Sequence, residues 1–186
     1  MGRGQWIGMA LAWQLMAAGT PATPAASGAL IQSLSRYHAA PSLSVVLALA
    51  PTAPAAALDA VLMDPAPPML VKVHAIASLE SLASPAAGAI LRRRLADPET
   101  HPRLRLAAVL ALGRAFAADN DILTTLAAAA SGDLDGGVRR AALVALSRLP
   151  GGRGRPLMAA LARQSQDVSR HAPAAGDRQT DLGELP

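Results

Sequence analysis

The chain has 186 residues, enough for one domain with a sizeable core and too few for two domains joined by a linker. Apolar residues make up 52% of it, many of them alanine, and the aromatic residues are limited to Trp6, Trp13, Tyr37 and Phe116. Strand-favouring aromatics are therefore scarce, and no long stretch alternates apolar with polar residues, so we predict an all-α fold. The absence of cysteine excludes disulfides and thiolate metal sites.

Charge is distributed unevenly along the chain. Residues 1–90 carry three basic and three acidic residues, whereas residues 92–163 carry twelve arginines and six carboxylates. Such an excess can attract nucleic acid or an acidic partner. A chain this rich in Ala, Gly, Pro and Arg also acquires arginine through compositional bias alone, and we favour that explanation over binding.

Residues 1–28 are typical of a secretory signal peptide followed by a short linker. Arg3 precedes an apolar run from Ile7 to Ala18, and small residues such as Ala26 and Gly28 suit a cleavage enzyme. The run of about twelve residues falls short of the ~20 that a transmembrane helix needs, so no stable membrane span is expected. This interpretation predicts a periplasmic or secreted protein. The alternative is a cytoplasmic protein whose first, uncleaved helix comprises residues 5–18.

One helical pattern recurs at an almost constant interval along the chain. In VRRAALVALSRL, with Val138 as position zero, apolar residues stand at +4, +7, +8 and +11, which is one stripe of a helix with 3.6 residues per turn. The same pattern begins at Leu104 in LRLAAVLALGRAF and at Val71 in VKVHAIASLESL, each with a basic residue at +1. A fainter copy, PSLSVVLALA, begins at Pro41.

A second apolar segment follows each of these helices, beginning near residues 54, 85, 119 and 155. Asp64-Pro65 and Asp97-Pro98 close two of these segments at the same interval, and proline there ends a helix. The unit is therefore helix, turn, helix, and a fixed period predicts stacked units that share one core. We predict an α/α-solenoid of three to four helix pairs over residues 29–166, followed by a degenerate cap and disordered tail at 167–186.

The stretches VRRAALVALSRL and LRLAAVLALGRA resemble HEAT repeats, specifically the short HEAT-like repeats of bacterial proteins and phycobilin lyases, and the resemblance covers about residues 41–166. It implies an α-solenoid that binds protein partners along one surface. It carries over no catalytic residue, because the shared positions are packing positions. The chain departs from the pattern at Glu80 and Ser147, which stand where Gly113 does, and at Ser42, where a basic residue is expected.

The basic residue at +1 lies at the edge of the buried stripe. In the family that the repeats resemble, this residue commonly reaches an acidic group in an inter-repeat turn. Partly buried charges placed this regularly are expected to be paired, and an aspartate precedes each basic residue by eight positions or fewer. We therefore predict a structural ladder formed by Lys72, Arg105, Arg139, Asp64, Asp97 and Asp133.

The remaining arginines are candidates for binding a partner, namely Arg92, Arg93, Arg140, Arg148 and Arg163. Because Ile90, Leu91 and Leu95 are expected to face inward, Arg92 and Arg93 are expected to point outward. The expected contact surface is the outward face of the second helices, where Asp59, Thr124 and Thr125 also project. A solvated helix end, favoured by the helix dipole alone, is the alternative for this arginine cluster.

No pattern of catalytic or metal-binding residues stands out. The four histidines, His38, His74, His101 and His171, are scattered, and PGGRGRP at 150–156 lacks the Lys-Ser/Thr of a phosphate-binding loop. We therefore predict no catalytic residue, no metal and no cofactor. The leading hypothesis is a non-catalytic scaffold or adaptor for a protein partner. The alternatives are a basic helical-repeat protein that binds nucleic acid in the cytoplasm and, by family analogy, an accessory lyase-like subunit.

Overall fold

In a computed structural model the described residues, 24–36 and 39–171, form helices and no strand, which confirms the all-α prediction. A 3-10 turn at Pro150–Gly152 separates the last two helices. The α-helices are α1 (Pro24–Ser35), α2 (Leu43–Leu49), α3 (Pro54–Met63), α4 (Met69–Leu82), α5 (Pro85–Ala96), α6 (Pro102–Ala115), α7 (Asp121–Gly132), α8 (Gly136–Arg148) and α9 (Arg155–His171).

Each helix packs against its neighbour in the chain and also against the helix two places further on. The first helices of the predicted pairs contact one another in series, α4 with α6 and α6 with α8. The second helices do the same, from α3 to α5, α7 and α9. Helix α1 packs on α2, α3 and α4, and His74 fixes it there, because the ring Nδ1 lies 2.8 Å from the carbonyl oxygen of Leu34.

The predicted apolar stripes form the core. Position zero and the positions at +4 and +8 are buried in all three clear copies. The small residues of the stripe let helices approach closely: a Cβ at Gly113 of α6 would lie only 3.0 Å from the Cβ of Ala145 in α8. The nine residues at those three positions are Val71, Ala75, Leu79, Leu104, Ala108, Leu112, Val138, Ala142 and Leu146.

The turn that ends each second helix is built in the same way three times. Asp64, Asp97 and Asp133 are the C-cap residues of α3, α5 and α7, and all three have extended backbone torsions. In each case the carboxylate accepts a hydrogen bond from the backbone N–H two residues later, at 2.9, 3.0 and 2.8 Å. This local bond turns the chain from the second helix of one pair toward the first helix of the next.

Two helices cross the predicted domain bounds, which themselves stay predictions. Helix α1 begins at Pro24, before the predicted start of the solenoid at residue 29, and α9 continues to His171, into the segment predicted as a degenerate cap. The hydrophobic segment of the predicted signal peptide and the tail from residue 172 onward lie outside the described residues. Within the described part of the chain, no single helix has both the length and the apolar character to cross a membrane; α2 and α3 would do so only together, and they are bent by 88°.

Candidate functional site

Three grooves lie along the second helices. Two lie between successive second helices, with about 670 Å³ between α5 and α7 and 560 Å³ between α7 and α9. The third, of about 280 Å³ and called the α3–α5 groove, is lined by α3, α4 and the turn between α5 and α6, and α5 contributes Arg94. Each contains the basic residue at +1 of a first helix, which is Lys72, Arg105 or Arg139 in turn. The grooves therefore repeat with the period of the sequence.

The α5–α7 groove is the largest of the three and brings together residues that the sequence had placed on one surface. Arg92 and Arg93 line it from α5, and Thr124 and Thr125 line it from α7. Both threonine hydroxyls donate to the carbonyl oxygen of Asp121 within their own helix. Apolar side chains complete the lining: Leu95, Ala96, Ala128, Ala129 and the exposed Leu134.

The arginines of α5 are paired more extensively than the sequence suggested. Arg92 was expected to point outward, but its side chain is only 26% exposed and donates to the Oδ2 of Asp119 at 2.6 Å. Arg93 is 60% exposed and donates to Asp59 of α3. Arg94, which was not singled out from the sequence, is buried and donates to the same carboxylate. Asp59 carries one negative charge and faces two guanidiniums, so within the described residues these three groups have a net charge of one positive unit.

Asp119, the partner of Arg92, is held in its charged form. The hydrogen bond from the backbone N–H of Asp121 lowers the pKa of Asp119, burial opposes this, and the hydrogen bond from Arg92 lowers the pKa further. The net result is a pKa below the ordinary value of an aspartate. The pair therefore persists at neutral pH, and its arginine lines the groove.

Arg105 and Asp133 form a buried ion pair at the floor of the α5–α7 groove. The Nε and Nη2 of Arg105 donate to the two carboxylate oxygens at 2.9 Å each, and the two side chains are 4% and 6% exposed. Its Nη1 donates to the carbonyl oxygens of Pro98 and Thr100 in the preceding turn. The hydrogen bond with Asp133 raises the pKa of Arg105, and burial works against it. Burial raises the pKa of Asp133, but the hydrogen bonds from Arg105 and the Asp135 N–H outweigh burial and lower that pKa.

The ladder pairs differ from those the sequence suggested. Arg105 pairs with Asp133 in the following turn, 28 residues ahead, and not with Asp97 eight residues behind. Arg139 makes no ion pair within the described residues; its Nη1 donates to the carbonyl oxygens of Asp133 and Leu134. Lys72 also has no ion pair within the described residues, and it lies in the α3–α5 groove together with Asp97. The side chain of Asp64 makes one hydrogen bond within the described residues, from the Ala66 N–H.

Arg140, Arg148 and Arg163 are exposed and make no ion pair within the parts of the chain that the structure describes. Arg163 lies on α9, between two residues that line the α7–α9 groove. Arg140 and Arg148 lie on α8, a first helix, and neither lines any of the three grooves. The five arginines proposed from the sequence therefore do not form one surface.

Comparison of the chain with protein-family models, curated proteins and solved structures gives no match. The chemistry of the site is therefore inferred from its own residues. In the described ranges 24–36 and 39–171, no group of three or more His, Asp or Glu side chains is arranged to hold a metal ion. His74 is used to fix α1, and His101 caps α6 by accepting from the Arg103 N–H at 3.2 Å. His38 and the side chain of His171 lie outside the described residues.

Three further pairs were not predicted from the sequence. Asp59 and Arg94 are 35 residues apart, Glu80 and Arg114 are 34 apart, and Arg153 donates to Asn120, 33 residues away. Arg114 binds Glu80 through two hydrogen bonds, at 2.7 and 2.8 Å. The sequence separation of these partners, about one repeat period, is a signal from which such pairs could be predicted, because it is the separation expected for residues on adjacent helix pairs.

The grooves are suited to holding a polypeptide segment. Alanine and leucine side chains offer apolar walls, and guanidinium groups at the rim recognise carboxylates through paired, charge-assisted hydrogen bonds. A segment with apolar and acidic side chains satisfies both features.

Proposed function

We propose that the chain is a non-catalytic protein-interaction module, a scaffold or adaptor, whose helix pairs stack as a HEAT-like α/α-solenoid. The partner lies in the grooves between successive second helices. The observation that carries this proposal is the row of three grooves, each with a basic residue from the same register position, Lys72, Arg105 or Arg139.

The stacked arrangement is supported by contacts that repeat with the sequence period. The C-cap aspartates of α3, α5 and α7 have the same conformation and the same hydrogen bond. The ion pairs Asp59–Arg94 and Glu80–Arg114 each join helices two places apart in the chain. In a repeat array each unit contacts only its neighbours, and such contacts set the register between units.

A pair of alanine variants tests the binding surface. Ala128 is exposed and lines the α5–α7 groove, so Ala128→Arg fills the groove without disturbing a buried contact. Ala89 is exposed on α5 and lines none of the three grooves, which makes Ala89→Arg a matched control. The tagged full chain, bearing either change or none, is used to capture proteins from envelope extract of its host, and the captured proteins are quantified by mass spectrometry.

We expect one or more proteins to be retained by the wild type and by Ala89→Arg and to be lost with Ala128→Arg. Equal capture by all three chains contradicts the groove as the binding surface. Export is part of the same proposal, and mass spectrometry of the mature N-terminus tests it: a chain that retains Gly2 contradicts export.

A second candidate function is nucleic-acid binding, and one observation favours it. Arg103, Arg140 and Arg148 are exposed on the first helices α6 and α8, away from the grooves, and have no ion pair within the described residues. If each binds a phosphate, replacing all three with Gln lowers the log–log slope of DNA affinity against salt by roughly one unit per arginine replaced. Ala128→Arg, which adds a positive charge, does not weaken that binding. Absence of DNA binding at low salt removes this candidate.

A further inference from the structure

The α7–α9 groove differs from the α5–α7 groove because, among the described residues, no carboxylate lines it. Its walls are mainly apolar, with Leu143 from α8 and Met158 and Leu161 from α9. Arg139 is its basic residue, and Ser131 and Gln164 are its uncharged polar residues. Its volume, about 560 Å³, is close to that of the α5–α7 groove, and it has room for several side chains.

Arg105 shows what the equivalent guanidinium binds one repeat earlier. Its Nη1 donates to two backbone carbonyl oxygens of the preceding turn, while Nε and Nη2 each donate a hydrogen bond to the carboxylate of Asp133. Arg139 repeats the first half of this arrangement, since its Nη1 donates to the carbonyl oxygens of Asp133 and Leu134. Among the described side chains, which do not include that of Asp167, no carboxylate binds Nε and Nη2 of Arg139. With respect to those side chains, both donors can receive an acidic group from a partner.

The apolar part of the site is incomplete in the same place. Ile76, Val109 and Leu143 occupy one register position, +5 of the first helices α4, α6 and α8. Ile76 is 2% exposed and Val109 is 0% exposed, whereas Leu143 is 36% exposed. Within the described part of the chain, Leu143 therefore lacks the cover that the two equivalent side chains have.

We propose that the α7–α9 groove is the anchor site for the protein partner and takes a segment in which a carboxylate side chain is flanked by apolar ones. The carboxylate binds Nε and Nη2 of Arg139, and the apolar side chains cover Leu143, Met158 and Leu161. Charge complementarity decides the class of partner, because the lining formed by the described residues carries a positive charge and no negative one. This inference rests on the proposed protein-binding function and assigns its main contact.

A phage library of random dodecapeptides, selected on the full chain, is the probe. We expect enrichment of peptides in which Asp or Glu stands next to Leu, Ile, Met or Phe. Binding of the selected peptides falls about tenfold or more with Arg139→Gln, because a charge-assisted pair is lost. Arg139→Lys restores only part of it, since lysine keeps the charge but not the two parallel donors. Repeating the selection on Arg139→Glu yields peptides with Lys or Arg in place of the acid.

Arg155→Gln is the matched control and leaves binding unchanged, because Arg155 is exposed on α9 and lines none of the three grooves; circular dichroism confirms that each variant is folded. Peptides that lose affinity with Ala128→Arg but not with Arg139→Gln overturn this assignment and leave the protein-binding function standing. Failure to enrich acidic peptides also overturns it.

Two further outcomes overturn the choice of occupant. Asp167 lies on α9, and it follows Arg139 at the same distance in sequence as Asp133 follows Arg105. Non-additive losses of thermal stability in Arg139→Gln and Asp167→Asn would assign the carboxylate to the chain itself. A concentration-dependent dimer that is lost with Arg139→Gln would make a second copy of the chain the occupant. Additive losses and a monomer support the external partner.

Discussion

Replacing Asp133 with Asn isolates the contribution of its buried charge to stability. Asparagine keeps a side-chain oxygen that can accept from the Asp135 N–H, now at 2.8 Å, so the turn after α7 is retained. It removes the negative charge that faces Arg105 through two hydrogen bonds of 2.9 Å. Because the two side chains are only 4% and 6% exposed, water cannot replace the missing charge.

The expected cost follows from the burial of the pair. Removing one partner of a buried ion pair costs about 3–5 kcal/mol, because the other charge is left without compensation. Arg105 keeps its hydrogen bonds to the carbonyl oxygens of Pro98 and Thr100, so we expect a value near the lower end of this range. For a chain of this size, a loss of about 3 kcal/mol lowers the melting temperature by roughly 6–12 °C.

Asp97→Asn is the matched control. Asp97 ends α5 in the same conformation and accepts from the Glu99 N–H and the Thr100 hydroxyl, but it has no ion pair within the described residues. We expect a loss of about 1 kcal/mol or less, the usual contribution of one hydrogen bond. Urea unfolding at pH 7, followed by circular dichroism, measures both free energies of unfolding.

The pH dependence provides an independent check. The pKa of Asp133 is lower in the folded chain than the value of about 3.9 expected when unfolded, so the unfolded state binds the proton more readily. The stability that this carboxylate contributes is therefore fully present above about pH 5 and is lost as the pH falls below about 4. The difference between wild type and Asp133→Asn should shrink at pH 3. A loss no larger than that of Asp97→Asn, or a difference that does not change between pH 7 and pH 3, would refute the reasoning.

Three further substitutions test the packing, each by thermal unfolding. Gly154→Ala should destabilise the chain by roughly 2 kcal/mol or more, because the added Cβ would overlap the carbonyl oxygen of Leu146; an unchanged melting temperature would contradict this close approach. Leu146→Ala should cost about 2–4 kcal/mol, since the side chain is fully buried, and a loss below about 1 kcal/mol would show that the site collapses. Ser78→Ala should be neutral or stabilising by about 1 kcal/mol, because the buried Ser78 hydroxyl has no hydrogen-bond partner among the described residues and the equivalent positions are Ala111 and Ala145; a clear loss would reveal an unseen partner.

The helices and their buried stripes were predictable because the signals are local. Apolar spacing of three and four residues sets which side of α8 is buried, and Val138, Ala142 and Leu146 follow it. Proline at the starts of α5 and α6, and aspartate at the ends of α5 and α7, mark helix boundaries through backbone chemistry that acts within a few residues.

Arg105 and Asp133 both belong to the predicted ladder and do pair, but which residues are partners was not predictable, because ion pairs depend on packing between helices. For Arg105 the nearest aspartate along the chain is in the preceding turn, but that turn offers its carbonyl oxygens to the guanidinium. The carboxylate comes from Asp133 in the following turn, which lies beside Arg105 only once α6 and α7 are packed. Arg94 stands four residues after Ile90 and three after Leu91, so helical spacing places it on the buried side of α5, but its partner Asp59 belongs to α3 and is brought there only by packing.

Alanine and arginine have different roles in packing the helices, and together they give the grooves apolar walls and positive charge. Alanine lets helices approach closely but buries little area and fixes no unique register, because one alanine packs much like another. Arginine pairs fix the register between helices that alanine does not. Arg105 and Arg114 each bind a carboxylate through two parallel hydrogen bonds, and each carboxylate belongs to a different helix or turn from the arginine. Within the described residues the series of ion pairs ends before Arg139, whose guanidinium lines the α7–α9 groove. The residue type that aligns the units is thus also the one suited to recognising an acidic partner.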